Sequence, residues 1–103
     1  MANYLGETRV DVATHPTYAR YTEKDWALLY IQLYGGIDGE HHKNWVLDQV
    51  SRILHGCEVL VKQARWDDGT VEDRYLLGAP TPSYLTWVQE MSEEYGYDVG
   101  TPP

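Results

Sequence analysis

The stretch Asp38-Gly-Glu-His-His-Lys-Asn-Trp-Val-Leu-Asp-Gln-Val-Ser-Arg-Ile-Leu-His-Gly56 reads as one complete helix, and its ends constrain what flanks it. Asp38 is placed to N-cap it, its side-chain oxygen accepting from an amide of the first turn. Gly56 suits the left-handed position just past the end, and His55 sits at the negative end of the helix dipole. Val46, Val50, Ile53 and Leu54 recur at helical spacing as an apolar stripe, widened by His42, Trp45 and Leu47. Lys43, Asn44, Asp48, Ser51 and Arg52 form the opposite, polar side, with Asp48 and Arg52 spaced for an i,i+4 ion pair.

Upstream, Thr22-Glu-Lys-Asp25 has the form of a capping box, and Tyr21 and Trp26 occupy the two positions of a hydrophobic staple. A helix is expected from Glu23 to about Tyr34, stopped by Gly35-Gly36, so that two helices follow one another through a tight connection. From Trp26 to Tyr34 only Gln32 is polar. Such a helix is either central to the core or shared with a second copy. Trp26, Tyr30 and Tyr34 lie along one side and are expected to form a homodimer interface. Further upstream, Thr8 to Thr14 alternates, with Val10 and Val12 on one face, and reads as a short strand broken by His15-Pro16.

Downstream the apolar period changes from 3.6 to 2. Cys57–Trp66 and Val71–Leu77 read as a hairpin, with Asp68-Gly69 as a two-residue type I′ turn. That turn pairs Trp66 with Val71, Arg65 with Glu72, Ala64 with Asp73, Gln63 with Arg74, Lys62 with Tyr75, Val61 with Leu76 and Leu60 with Leu77. The Arg65–Glu72 match favours this register. Thr81-Pro82 then opens a third helix, with Tyr84, Val88, Met91 and Tyr95 on one face and Leu85 and Trp87 beside it, ended by Gly96. The order β-α-α-β-β-α defines an α+β domain of three helices and a small antiparallel sheet of two or three strands. It spans residues 1–103 as one domain, with 1–20 and 97–103 the least tightly ordered.

Sixteen acidic against eight basic residues leave a net charge of −8, which disfavours direct binding to nucleic acid or anionic membrane and favours a basic protein partner. Nine Tyr and four Trp without any Phe fit either composition drift or an aromatic binding face, since both carry a polar handle. A single cysteine, Cys57, excludes an internal disulfide and fits a reducing cytoplasm; it follows a helix C-terminus and reads as buried and structural. The N-terminus carries no signal-peptide pattern, and no run reaches membrane-spanning length.

His41 and His42 point about 100° apart on a helix, so with Asp48 they make a poor metal or catalytic set. No metal ligands, catalytic residues or cofactor are expected. Glu90, Glu93, Glu94 and Asp98 sit at the end of the third helix, where negative charge opposes the macrodipole; local stability does not explain them. They read either as a solubilising face or, with Tyr95 and Tyr97 and the acidic turn Asp67-Asp68, as a partner-binding surface.

The run Tyr21-Thr-Glu-Lys-Asp-Trp26, then Tyr34-Gly-Gly-Ile-Asp-Gly39 and His41-His-Lys-x-Trp-Val-x-Asp-Gln-Val-x-Arg-Ile-Leu54, resembles small acidic proteins of tailed bacteriophages and prophages. The likeness spans about residues 20–80 and brings no agreed activity or catalytic residues with it. It implies a non-enzymatic protein of the host cytoplasm that inhibits a basic, nucleic-acid-handling host protein or a defence complex of the CRISPR–Cas kind. Mimicry of nucleic-acid charge is one way to do so. A second possibility is a small-molecule or nucleotide-signal binder with a pocket of Arg65, Arg74, Trp66 and Tyr75. A third is a metal-dependent enzyme using His41, His42 and Asp48.

Overall fold

A computed structural model describes residues 1–36 and 39–100, apart from the side chains of Glu40 and His41. The order is β1 (Tyr4–Val10), a 3₁₀ turn at Tyr18–Arg20, α1 (Glu23–Tyr34), α2 (Glu40–Leu54), β2 (Val59–Trp66), β3 (Val71–Leu77) and α3 (Pro82–Tyr95). The three strands form one antiparallel sheet in the order β1-β2-β3. The fold is therefore α+β, with three helices and a three-stranded sheet, as the element pattern requires. Among the described residues no helix is long and apolar enough to cross a membrane.

The helix ends follow their local chemistry. Thr22 and Asp25 form the reciprocal capping box of α1, and the Tyr21 and Trp26 rings meet edge-on at 4.8 Å as its staple. At the end of α2, Gly56 takes φ 95° while its amide and that of Cys57 return to the carbonyls of Ile53 and Arg52. Asp38, the expected N-cap, lies outside the described residues; α2 is regular from Glu40.

One face of the sheet carries the core. Val59 and Val61 pack with Trp26, Ala27 and Tyr30 of α1, Ile53 of α2 and Tyr18 of the 3₁₀ turn. No helix residue among the described ones joins a core on the other face, and register brings Arg9, Lys62 and Arg74 side by side across it. Arg74 is held there by Glu7 at 2.9 Å and by the rings of Tyr4 and Trp66. The helices cover only part of the sheet and α3 lies outside α2. The radius of gyration is accordingly 15.6 Å, against about 13 Å for a compact chain of this length.

Three sequence expectations change. The first is the hairpin register: Arg65 faces Val71, Ala64 faces Glu72, Gln63 faces Asp73, Lys62 faces Arg74, Val61 faces Tyr75 and Leu60 faces Leu76. The connection is three residues long, closed by Trp66 N–H to the Thr70 carbonyl at 3.0 Å and Gly69 N–H to the Trp66 carbonyl at 3.2 Å. A type I′ turn needs positive φ at Asp68 as well as Gly69, but only Gly69 has it, at 87°. Asp67 is drawn towards β1 instead: its amide donates to the Asn3 carbonyl, and its carboxylate accepts from the Asn3 backbone and side-chain amides, all at 2.9 Å. The one-residue slip turns Tyr75 into the core and Arg74 out of it. Gly69→Ala, forced to hold a left-handed φ, should lose about 1–2 kcal/mol in urea unfolding, and Gly69→Asn clearly less.

Second, β1 begins and ends earlier than the Val10–Val12 alternation suggests. Asp11 starts a turn, its carboxylate accepting from the Ala13 amide and its carbonyl from those of Thr14 and His15. Third, Trp26 and Tyr30, expected at a dimer interface, are buried inside their own domain and offer no contact surface in this fold. Trp26 packs among Tyr18, Tyr21 and Tyr75, and Tyr34 is half-buried against Trp45. The large apolar side chains α1 exposes are instead Leu28, Ile31 and Leu33.

Candidate functional site

The acidic face of α3 is positioned by an anchor that is itself polar. Thr81 caps α3 by accepting from the Tyr84 amide at 3.1 Å, and the same hydroxyl donates to the carbonyl of His55 at 2.9 Å. One side chain thus satisfies the start of α3 and the end of α2. His55 also hydrogen-bonds Ser83 at 2.8 Å and packs against Trp87.

About two turns back along α2 from His55, Asp48 is fully buried. It accepts from the hydroxyl of Tyr84, from Tyr97 at 3.3 Å and from Arg52 Nε at 3.1 Å, with Gln49 at 3.4 Å. The Arg52 guanidinium lies 4.9 Å over the Tyr84 ring. Among the described residues no buried side-chain nitrogen or oxygen lacks a partner, which is what makes a buried carboxylate tolerable. Burial would lower the Arg52 pKa, but the Tyr84 and Asp48 interactions outweigh it and raise it. Burial and the neighbouring carboxylate push the phenols of Tyr84 and Tyr97 up.

With α3 held this way, Glu90, Glu93 and Glu94 are exposed, and no cation among the described residues pairs with them. Tyr95 continues the stripe of Tyr84, Val88 and Met91 in helical phase, yet it is 72% exposed. Gly96 takes the left-handed C-cap at φ 64° and the chain turns back. Tyr97 is therefore not part of a frayed tail: it is half-buried, edge-on to Trp87 at 5.3 Å, with its hydroxyl on Asp48. Asp98 is exposed beside it in sequence.

Asp67 and Asp68 lie apart from this set in the hairpin connection and have local work. Asp67 ties the hairpin to Asn3, and Asp68 accepts from the Thr70 amide at 2.8 Å. No hydrogen bond or ion pair among the described residues joins them to the α3 cluster.

The residues named for a nucleotide pocket do not converge. Register places Arg65 and Tyr75 on one face of the sheet and Arg74 and Trp66 on the other. Asp48 is engaged by α3 and Arg52, on the side of α2 turned from Ile53. The His41 side chain lies outside the described residues. Among the described residues, no three His, Cys, Asp or Glu side chains are grouped to hold a metal ion. Cys57 is buried.

Sequence reasoning missed a second polar knot on the core face. The Tyr18 hydroxyl meets that of Tyr75 at 2.5 Å and donates to Asp73 at 2.7 Å, and Gln63 reaches the same carboxylate at 3.4 Å. Burial first, then these neighbours, raises the Tyr18 pKa; burial raises those of Tyr30 and Tyr75 as well. These five phenols thus sit above their ordinary value of 10.0 in the folded protein, as does that of the exposed Tyr4. Their contribution to stability is complete below pH 10.0 and is lost as the pH rises through the raised values. Tyrosinate absorbance and the far-ultraviolet dichroism should therefore change together in an alkaline titration as these phenols ionise.

Comparisons with protein-family models, with curated proteins and with solved structures find no match to this chain.

Proposed function

We propose that the protein works by binding, not catalysis, and that its target is a basic, nucleic-acid-handling protein engaged by the outer face of α3. The observation that carries this reading is the placement of Glu90, Glu93 and Glu94 together with Tyr95. Three carboxylates without a cationic partner stand in the last turns of a helix, beside a large exposed aromatic ring. Helix stability argues against that arrangement by about 0.3–1 kcal/mol per charge. A partner surface rich in Lys and Arg would reverse the sign, and the net charge of −8 would speed the encounter. Asp98 extends the acidic stretch; Tyr97 serves as its anchor and not as contact surface. The resemblance to phage proteins makes a host enzyme or a CRISPR–Cas-type defence complex the natural target in this proposal, with the host cytoplasm as its setting.

The test is a capture experiment on bacterial lysate with mass-spectrometric identification, run in parallel with the triple variant Glu90→Gln, Glu93→Gln, Glu94→Gln. A nucleic-acid-handling protein should be enriched by the wild type, lost with the variant and displaced by added DNA. An identical set of captured proteins with both baits would sink the reading.

A further inference from the structure

The face of the sheet turned away from the core is ordered in bands. Register aligns the three strands into rows that run across them, and the rows differ in chemistry. Tyr4 and Trp66 make an aromatic row, their rings 5.6 Å apart. Next to it lies an acidic row, Glu7, Ala64 and Glu72, and then a basic row, Arg9, Lys62 and Arg74. Leu60 and Leu76 form an apolar row beyond that. Apart from Ala64, all of these side chains are exposed or half-buried.

Two of the three cations are matched within the chain. Arg74 reaches across β2 to Glu7, and Arg9 pairs loosely with Glu58. Lys62 and Glu72 have no ion-pair partner among the described residues. Like charges directly opposite on neighbouring strands are destabilising, so the stability of one copy does not account for the basic row.

We infer that a second copy of this chain packs on this face, sheet against sheet. The two-fold axis runs along the rows, between the acidic and the basic one. Rotation about it lays the basic row of each copy on the acidic row of the other. It also lays the leucine row on the aromatic row, which covers Tyr4 and Leu76, now 52% and 46% exposed. Lys62 of each copy then stands beside Glu72 of the other, and both unmatched charges gain a partner. An isologous interface requires a patch complementary to itself, and this order of rows provides one. Sheets packed face to face lie about 10 Å apart with their strands nearly aligned, so side chains of the two rows interdigitate. Strands of seven and eight residues make a patch roughly 27 Å by 14 Å. That is small for an interface, and the dimer is accordingly weak and reversible. No residue of α3 takes part, so this contact stands or falls apart from the partner surface proposed above.

Sedimentation equilibrium of the wild type and of the reversals Lys62→Glu and Glu72→Lys, alone and mixed, tests it. The wild type should dimerise with a Kd between about 10 μM and 1 mM. Each reversal alone sets like charges together at the axis and should weaken the dimer about tenfold or more. An equimolar mixture of the two should dimerise again, because each Glu of one variant then meets a Lys of the other. Far-ultraviolet dichroism confirms that the variants are folded. Leu76→Ser, at an exposed position of the apolar row, should also weaken the dimer and serves if a reversal fails to fold. A strictly monomeric wild type at about 1 mM would overturn the inference. So would undiminished association in the folded variants, or a mixture of the two reversals that stays monomeric.

Discussion

Asp48→Ala is expected to detach α3 from the body, at a cost of about 3 kcal/mol to its docking. The carboxylate is the meeting point of Tyr84, Tyr97 and Arg52. Its removal leaves the buried Tyr84 hydroxyl without an acceptor and the half-buried guanidinium without its anion. An unsatisfied buried hydroxyl alone costs about 1–3 kcal/mol. Asp48→Asn keeps an acceptor for one hydroxyl and should lose less. Native-state hydrogen exchange distinguishes the consequence from general destabilisation. Amides of α3 should exchange nearly as fast as in an unfolded chain, while those of Val59 and Val61 in β2 keep their protection. Equal loss in both would mean that α3 and the sheet unfold as one unit.

Tyr30→Ala should cost about 3–5 kcal/mol, the range for truncating a large aromatic side chain in a packed core. Tyr30 is 1% exposed and belongs to the cluster shared by α1, α2 and the sheet. In a domain whose whole stability is about 5–15 kcal/mol, that loss brings the chain close to unfolding at 37 °C. Tyr30→Glu should abolish the folded dichroism spectrum outright. Tyr30→Phe should stay within about 1.5 kcal/mol of the wild type. Urea denaturation of the three variants measures the order. A folded Tyr30→Glu monomer would return this residue to the surface and contradict its place in the core.

The helices were legible because their ends are chemically marked. Thr22–Asp25, Gly56 and Thr81-Pro82 each satisfy nearby backbone groups, so a short window contains the whole cause. The hairpin was legible but its register was not. Asp-Gly is compatible with a two-residue type I′ loop and with a three-residue loop ending in a left-handed glycine. The contact that separates them, Asp67 with Asn3, joins residues 64 positions apart. Separations of 36 and 49 positions from Tyr84 and Tyr97 likewise hid Asp48. At i,i+4 from Arg52 it reads as a surface ion pair, and only the tyrosines of α3 reveal that this side of α2 is covered. Leu47 and Leu54, assigned to the apolar stripe, are correspondingly exposed. The acidic face of α3 was readable because helical phase alone separates Glu90 and Glu93 from Tyr84 and Val88. The fate of Tyr97 was not readable, since it depends on a reversal at Gly96 and a partner on another helix.

The central position of β2 also has a temporal side. β3 reaches it through a three-residue connection, a closure that occurs in microseconds. β1 must wait: its pairing runs from Tyr4 with Trp66 to Val10 with Val61, across both intervening helices. A chain growing from its N-terminus carries β1 without a partner until more than half of the sequence has been made. Loop closure over that span gives the last strand the highest entropic barrier. The β2–β3 hairpin and the α1–α2 pair are then the natural nucleus, and β1 joins a platform that already exists. Substitutions confined to β1 should speed unfolding and leave the folding rate almost unchanged.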